Sequence, residues 1–359
     1  MLKTLLWVVV LYFACDFLIF RTGLYFKYVE PQSIAGSVVL GRAIVNHYEN
    51  PARGNIIVLG DSRVGEGFSA KQANELATST NLNFIGCGIP GSTPRVWYYF
   101  LRQVDPEQKK FSAIVLMTEA LTDGELADDF VDYKIDANYC LPLLRWSDLS
   151  SFPKTFSKKE QRDRAWQSIA FPLVFAQKDI RGLIAHPVER FRKAALWHST
   201  YPEAIYNYPG RQEVLPDLEL EGNPPHPRDW KNVRESIRPQ VSGYLAMSSG
   251  YYPHPPIALA TSYRNEWYGE IAHEYSAKGV PVYVVLMPRG PYHTALKAPT
   301  APSGSLAELS ASGLLHLLPP SAFVGLEIPG NFCDQLHMNT IGRHKFTELL
   351  ARLIMEQKH

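Results

Sequence analysis

Three short apolar runs limit what this chain can fold into more than any other feature. Asn55–Leu59 (NIIVL), Leu82–Ile85 (LNFI) and Ala113–Met117 (AIVLM) are dense in Ile, Val and Leu and show almost no polar alternation. Such runs read as strands buried on both faces. Between them lie helical segments, Ser69–Thr78 with Ser69 as N-cap and Arg95–Val104. Parallel neighbours need a crossover long enough to hold a helix, so this rhythm predicts a parallel sheet covered by helices on both faces. The pattern returns late in the chain. Thr261–Lys278 reads as a helix, Gly279-Val280-Pro281 as a turn and Val282–Met287 as a strand. A crossing at 289–320 holds a short helix near Leu306–Leu318. Ala322–Glu327 is expected as the last strand and Thr340–Glu356 as the closing helix. The fold class is α/β, a three-layer α/β/α domain around a central parallel sheet.

Regularity is lost from about Leu121 to Ala258, where Pro, Tyr, Trp and Asp accumulate in clusters such as Asn223–Trp230 (NPPHPRDW). A structureless loop of that length is improbable in a compact domain, so an inserted subdomain of short helices and ordered loops is expected. The 359 residues divide into an apolar anchor at 1–27, a connector at 28–53 with a helix over Ala35–His47, and a domain at 54–359 interrupted at about 121–258.

Leu5–Phe20 (LLWVVVLYFACDFLIF) is apolar apart from Asp16, follows Lys3 and precedes Arg21. Its sixteen helical residues span about 24 Å, which Arg21 and Leu24–Phe26 extend towards a bilayer core. No small-residue cleavage site follows, which favours an uncleaved signal anchor over a removed signal peptide. A buried first helix of a soluble protein is the alternative. Tyr12 occupies the place where a lipobox ending at Cys15 needs Leu. Basic residues flank the segment on both sides, so charge leaves its orientation open. Its place at the amino end favours a single pass through an inner membrane, with the folded part in the periplasm or extracytoplasmic space. Asp16 is a cost inside such a segment, met either near an interface or against a partner helix.

A net charge of +1 supplies no field to draw nucleic acid. The basic group Lys158–Arg164 alternates with acids and reads as a solvated helix face. Four cysteines, Cys15, Cys87, Cys140 and Cys333, are too few for a disulfide scaffold and fit no zinc spacing. Cys87 and Cys333 flank the candidate site and are either a bonded pair or ordinary buried thiols. His226 and His254 each neighbour proline, but no carboxylate or cysteine stands at ligand spacing, so neither a metal nor a cofactor is expected.

The chemistry concentrates at two distant places. Gly60-Asp61-Ser62 follows the first strand, and Asp334-x-x-His337 precedes the last helix. A serine at the carboxyl end of a parallel sheet lies where open α/β folds bind ligands. His337 would take the Ser62 proton, Asp334 would hold the imidazole tautomer, and the Ser62 N–H would donate to an oxyanion.

These blocks resemble the SGNH (GDSL-type) hydrolases over roughly residues 54–120 and 260–357. The resemblance implies a flavodoxin-like topology with Ser62 as nucleophile. Its second block matches Gly88-Ile89-Pro90-Gly91-Ser92 and gives Gly91 an oxyanion role. The third block departs from the family pattern. Met117-Thr118-Glu119-Ala120 replaces Gly-x-Asn-Asp, leaving either the Thr118 hydroxyl or two backbone amides to serve the oxyanion. Losing one such donor costs about 3–4 kcal/mol of transition-state stabilisation, which weighs against fast hydrolysis.

An N-terminal anchor, an altered third block and a large insertion are similar to membrane-anchored members, including alginate O-acetylation and teichoic acid D-alanyl transfer proteins. That similarity implies acyl or acetyl transfer, or deacylation, on a cell-envelope polysaccharide or small acylated substrate beside a membrane-bound O-acyltransferase. A non-catalytic module binding glycan or a partner is the rival reading. Asp61, Arg63 and Gly88 are the candidate substrate contacts, Arg63 suiting either an anionic substrate or a surface salt bridge. Trp230, Tyr251 and Tyr252 suit sugar stacking or packing. Asn339 and Gly342 suit the turn into the last helix.

Overall fold

The computed structural model describes residues 2–126, 128–222, 226–248, 254–292 and 301–357. The chain divides into two compact units. One gathers 1–47, 95–106 and 131–205; the other gathers 48–94, 107–130 and 206–359.

The second unit is built on the parallel sheet. Its strands are β1 (Gly54–Gly60), β2 (Leu82–Gly88), β3 (Ala113–Thr118), β4 (Val282–Leu286) and β5 (His316–Leu317), in the order β2-β1-β3-β4-β5. Every neighbouring pair is parallel. β3 and β4 are buried at each position, which is why their sequences are dominated by Ile, Val, Leu and Met rather than alternating with polar residues. Strand order reverses between β1 and β3, and in open α/β sheets the crevice at such a reversal, beyond the strand carboxyl ends, takes the ligand.

Helices α1 (Ser62–Gly67) and α2 (Ala70–Leu76) follow β1, α3 (Ile257–Ser276) precedes β4, α4 (Ser305–Ala311) precedes β5, and α5 (Thr340–Gln357) closes the chain. Ser69 caps α2 by accepting from the Gln72 amide at 3.3 Å, as its position suggests. The expected strand at Ala322–Glu327 is not one. Ser321–Val324 is a helical turn, and the edge strand is His316–Leu317 upstream of it. Pro319-Pro320 is the cause: proline has no N–H for a ladder, and Pro320 at φ −59° already has the backbone of a first helical turn. Helix α4 is likewise shorter than Leu306–Leu318, with Gly313 at φ 77° just beyond it.

The first unit contains the amino-terminal helix Leu2–Asp16, continued by a π-helical turn over Phe17–Arg21. Lys3–Arg21 is long and apolar enough to cross a membrane. Its Leu, Val and Trp side chains at 5–11 are exposed, whereas Asp16 is buried and accepts from the Leu173 amide at 3.4 Å. The carboxylate in the apolar segment therefore faces the short helix Pro172–Phe175. Phe20, Tyr25, Phe26, Val29 and Val39 bury themselves with Leu141 and Ala176. Arg95 and Asp136, both without solvent exposure, pair at 2.6 Å, and Arg95 also donates to the Val131 and Thr155 carbonyls. The 121–258 region is thus not one subdomain. Residues 131–205 belong with this unit, while 206 onward belongs with the sheet unit. It is also more helical than expected, with Lys159–Ala170 and Pro187–Tyr206 as full helices.

Candidate active site

β1 delivers its end to a tight turn because two glycines let backbone and side chains crowd there. A Cβ on Gly60 would lie 2.4 Å from Met117 Cγ and 2.5 Å from Val64 Cγ2. One on Gly88 would lie 2.4 Å from the Gly65 amide nitrogen. Neither site has room for it, so β2 packs directly against α1. Asp61 caps α1, its carboxylate accepting the Arg63 amide at 2.8 Å. Ser62 is then the first helical residue, and its N–H has no residue four back in the helix to take it.

At the other end of the chain, Phe332 and Met338 pair across a turn that the Asp334 side chain folds. Asp334 Oδ1 accepts the Leu336 and His337 amides at 2.9 and 2.8 Å. Asn339 starts α5, its Oδ1 accepting from the Ile341 and Gly342 amides, both at 3.0 Å. Gly342 is required because a Cβ there would lie 2.1 Å from the Asn331 carbonyl oxygen.

These two places meet. His337 Nε2 stands 2.8 Å from Ser62 Oγ, and His337 Nδ1 stands 2.9 and 3.1 Å from the two Asp334 oxygens. A carboxylate only accepts, so Nδ1 carries the ring proton and Nε2 accepts the Ser62 hydroxyl. The His337 and Asp334 side chains keep 20% and 24% exposure, so solvent or a substrate reaches them. Burial pushes the Asp334 carboxyl up, but hydrogen bonds from the His337 ring and from the Leu336 and His337 amides outweigh it. They hold the group below the usual carboxylate range.

Gly91 adopts φ 70°, a backbone that favours glycine, in the turn closed by Ser92 N–H to Ile89 O at 3.1 Å. Ile89 N–H donates to Gly60 O at 2.8 Å, and Gly60 is in register with Gly88. The loops carrying Ser62 and Gly91 therefore leave adjacent strands at one level of the sheet.

Three sequence-based assignments change. Thr118 is fully buried and donates its hydroxyl to the Ala120 carbonyl at 2.8 Å, so it is not a free oxyanion donor. Arg63 is neither a surface ion pair nor an open anion site. It is buried and holds Asp61 through Nε and Nη2, at 2.9 Å for the shortest contact. Burial works against its charge, but the Asp61 carboxylate beside it raises its pKa. Asp61 is engaged by the same pair and by its cap, so it is not an open substrate contact, whereas Gly88 is partly exposed beside Gly65. Of the two readings of Cys87 and Cys333, ordinary buried thiols is the one that holds: no disulfide joins them, and burial pushes each up to about 12.

Elsewhere, His254 Nδ1 lies 3.0 Å from the Leu126 carbonyl and His226 Nε2 lies 3.9 Å from Glu221. Trp230 opens a short 3-10 turn and is partly exposed. Tyr251 and Tyr252 lie outside the described residues.

Sequence reasoning missed two features. Arg211 donates to Asp334 Oδ2 at 3.2 Å and lies 3.4 Å from Glu66 on α1, which also accepts the Tyr208 hydroxyl at 2.7 Å. Its own carbonyl accepts from Thr340 at the start of α5. Arg211 thus ties the nucleophile helix to the acid of the turn. It stands 123 residues before Asp334, and no local spacing announces it. Glu119, just past β3, lies 3.9 Å from both Arg63 and Arg264. Arg264 continues to Asp123 at 3.4 Å. Two guanidiniums thereby flank a carboxylate that would otherwise oppose an oxyanion.

No protein-family model matches the chain, and no curated protein is similar to it. What the site offers chemically is a hydroxyl, an imidazole and a carboxylate in line.

Proposed function

We propose that this chain is an SGNH-type enzyme performing serine-dependent acyl-ester chemistry on a cell-envelope polysaccharide or related glycan, through an acyl-Ser62 intermediate. The observation that carries the reading is the 2.8 Å contact of His337 Nε2 with Ser62 Oγ, backed by Asp334 on Nδ1. Ser62 Oγ attacks the acyl carbonyl while His337 takes its proton. The tetrahedral oxyanion is held by the Ser62 and Gly91 amides. His337 returns the proton to the leaving alkoxide as the intermediate collapses. An incoming sugar hydroxyl or water then loses its proton to His337 and attacks the acyl carbonyl; the acyl–Ser62 Oγ bond breaks as His337 returns that proton to Oγ. No metal is needed in this sequence. With Thr118 turned inward, this reading leaves the oxyanion to the two backbone amides, which suits a slow transferase better than a fast esterase.

The altered third block, with the Thr118 hydroxyl turned onto the Ala120 carbonyl, favours a second reading, a binding module that retains the fold and takes a glycan or a partner such as a membrane-bound O-acyltransferase. A fluorophosphonate probe separates them. Labelling lost in Ser62→Ala and in His337→Ala supports the enzyme; an unlabelled wild-type chain at every pH supports the module. On this account the Lys3–Arg21 helix makes a single pass and leaves the folded part on the extracytoplasmic side of an inner membrane.

A further inference from the structure

The amino-terminal unit carries a second site, unrelated to Ser62. A groove of about 450 Å³ opens where the membrane-length helix ends, and Arg21, Arg42 and Arg145 line it with Phe26, Trp146 and Gln103. No Asp or Glu lines it among the described residues. Arg21 donates to the Leu144 and Ile169 carbonyls, at 3.3 and 2.6 Å, and its guanidinium lies 4.7 Å from the centre of the Trp146 ring. Arg42 lies 4.7 Å from the centre of the Phe26 ring and makes no ion pair among the described residues. Asp148, two residues after Trp146, is already held by Arg102 at 2.7 Å and by the Arg145 amide at 2.6 Å. Burial pushes the Arg42 guanidinium below its ordinary range, as fits a cation lacking counter-charge.

We infer that this groove binds the phosphate of an anionic phospholipid headgroup. The position commits it to lipid. Lys3–Arg21 is the helix long and apolar enough to cross a membrane, and the groove begins at its end with Phe20, Arg21, Thr22 and Gly23. Guanidinium forks match phosphate oxygens, and Trp146, 43% exposed, supplies the amphipathic ring favoured at that depth. The bound headgroup would fix how the first unit stands on the membrane surface, whichever side it occupies. This site needs neither Ser62 nor acyl chemistry.

The test is native mass spectrometry of the full chain released from detergent micelles with dioleoyl phosphatidylglycerol, dioleoyl phosphatidylcholine or inorganic phosphate. The expected result is retention of the glycerol lipid over the choline lipid on the order of tenfold, the scale set by a few basic groups facing one anionic headgroup. Arg42→Gln with Arg145→Gln should erase that preference. Arg192→Gln, a loss of exposed charge outside the groove, should leave it intact. Ser62→Ala should also retain it, which separates this site from the fate of the catalytic proposal. Equal retention of the two lipids by the wild-type chain overturns the inference, and needs no variant to fold. So does a folded double variant that keeps the preference. Inorganic phosphate that binds and displaces the lipid would reassign the groove to a soluble phosphate and overturn the lipid assignment.

Discussion

At the scale of single residues the site depends on one carboxylate. Asp334 accepts from two backbone amides, the His337 ring and Arg211, and its folded-state pKa is depressed. The linkage sign follows. A depressed carboxyl favours the folded state at pH above its unfolded value, about 3.9 for Asp, and that advantage is lost as pH falls through the lower folded value. Thermal unfolding of wild type and Asp334→Asn across pH should therefore show a gap that is constant above about pH 5 and narrows below about pH 4. A gap that widens on acidification would contradict the hydrogen-bonded, ionised Asp334. The triad was legible in the sequence because nucleophile and base each sit beside a strand or helix boundary with local signals. Arg211 was not legible, since its role exists only once segments 123 residues apart meet. Nor was the inward turn of Thr118, which depends on the Ala120 carbonyl waiting two residues on.

At the scale of elements, the turns that present the site are set by backbone crowding. Gly88→Ala would place a methyl 2.4 Å from the Gly65 nitrogen, against backbone rather than a movable side chain. Overpacking of this kind costs about 1–3 kcal/mol, and it should displace α1 along with Ser62. Chemical denaturation should show that loss of stability, and labelling at Ser62 should fall with it. Wild-type stability would show that the β2–α1 contact is looser than described. The thiols give a second check. Cys87 on β2 and Cys333 before the Asp334 turn form no disulfide and are raised to about 12. Alkylation after denaturation without reductant should modify all four cysteines; two protected thiols would mean a bond the structure lacks. Strands β1, β3 and β4 were readable because near-complete burial writes itself as runs rich in Ile, Val and Leu, and β2 by its shorter Leu82–Ile85 run. The edge strand β5 was not, because two residues carry no pattern and Pro319-Pro320 turned the stronger-looking Ala322–Glu327 run into helix.

At the scale of the molecule, the sequence suggested an anchor, a connector and one interrupted domain, whereas the chain sorts into two interleaved units. The sorting was hidden because contacts such as Arg95–Asp136 and Asp16–Leu173 join residues far apart in sequence. Asp16, unexplained in an apolar stretch, acquires a reason in that packing. The membrane reading predicts that the full chain resists alkaline carbonate extraction and that a phosphatase fused after His359 is active only when exported. Activity of a cytoplasmic reporter in that place would reverse the orientation.

The central claim is that Ser62 becomes acylated. A brief pulse of p-nitrophenyl acetate, stopped with acid and followed by peptide mass mapping, tests it most directly. The account predicts one acetyl group on the peptide containing Ser62, absent in Ser62→Ala and strongly reduced in His337→Ala. Acetylation spread over surface lysines, with the Ser62 peptide unmodified, would contradict it.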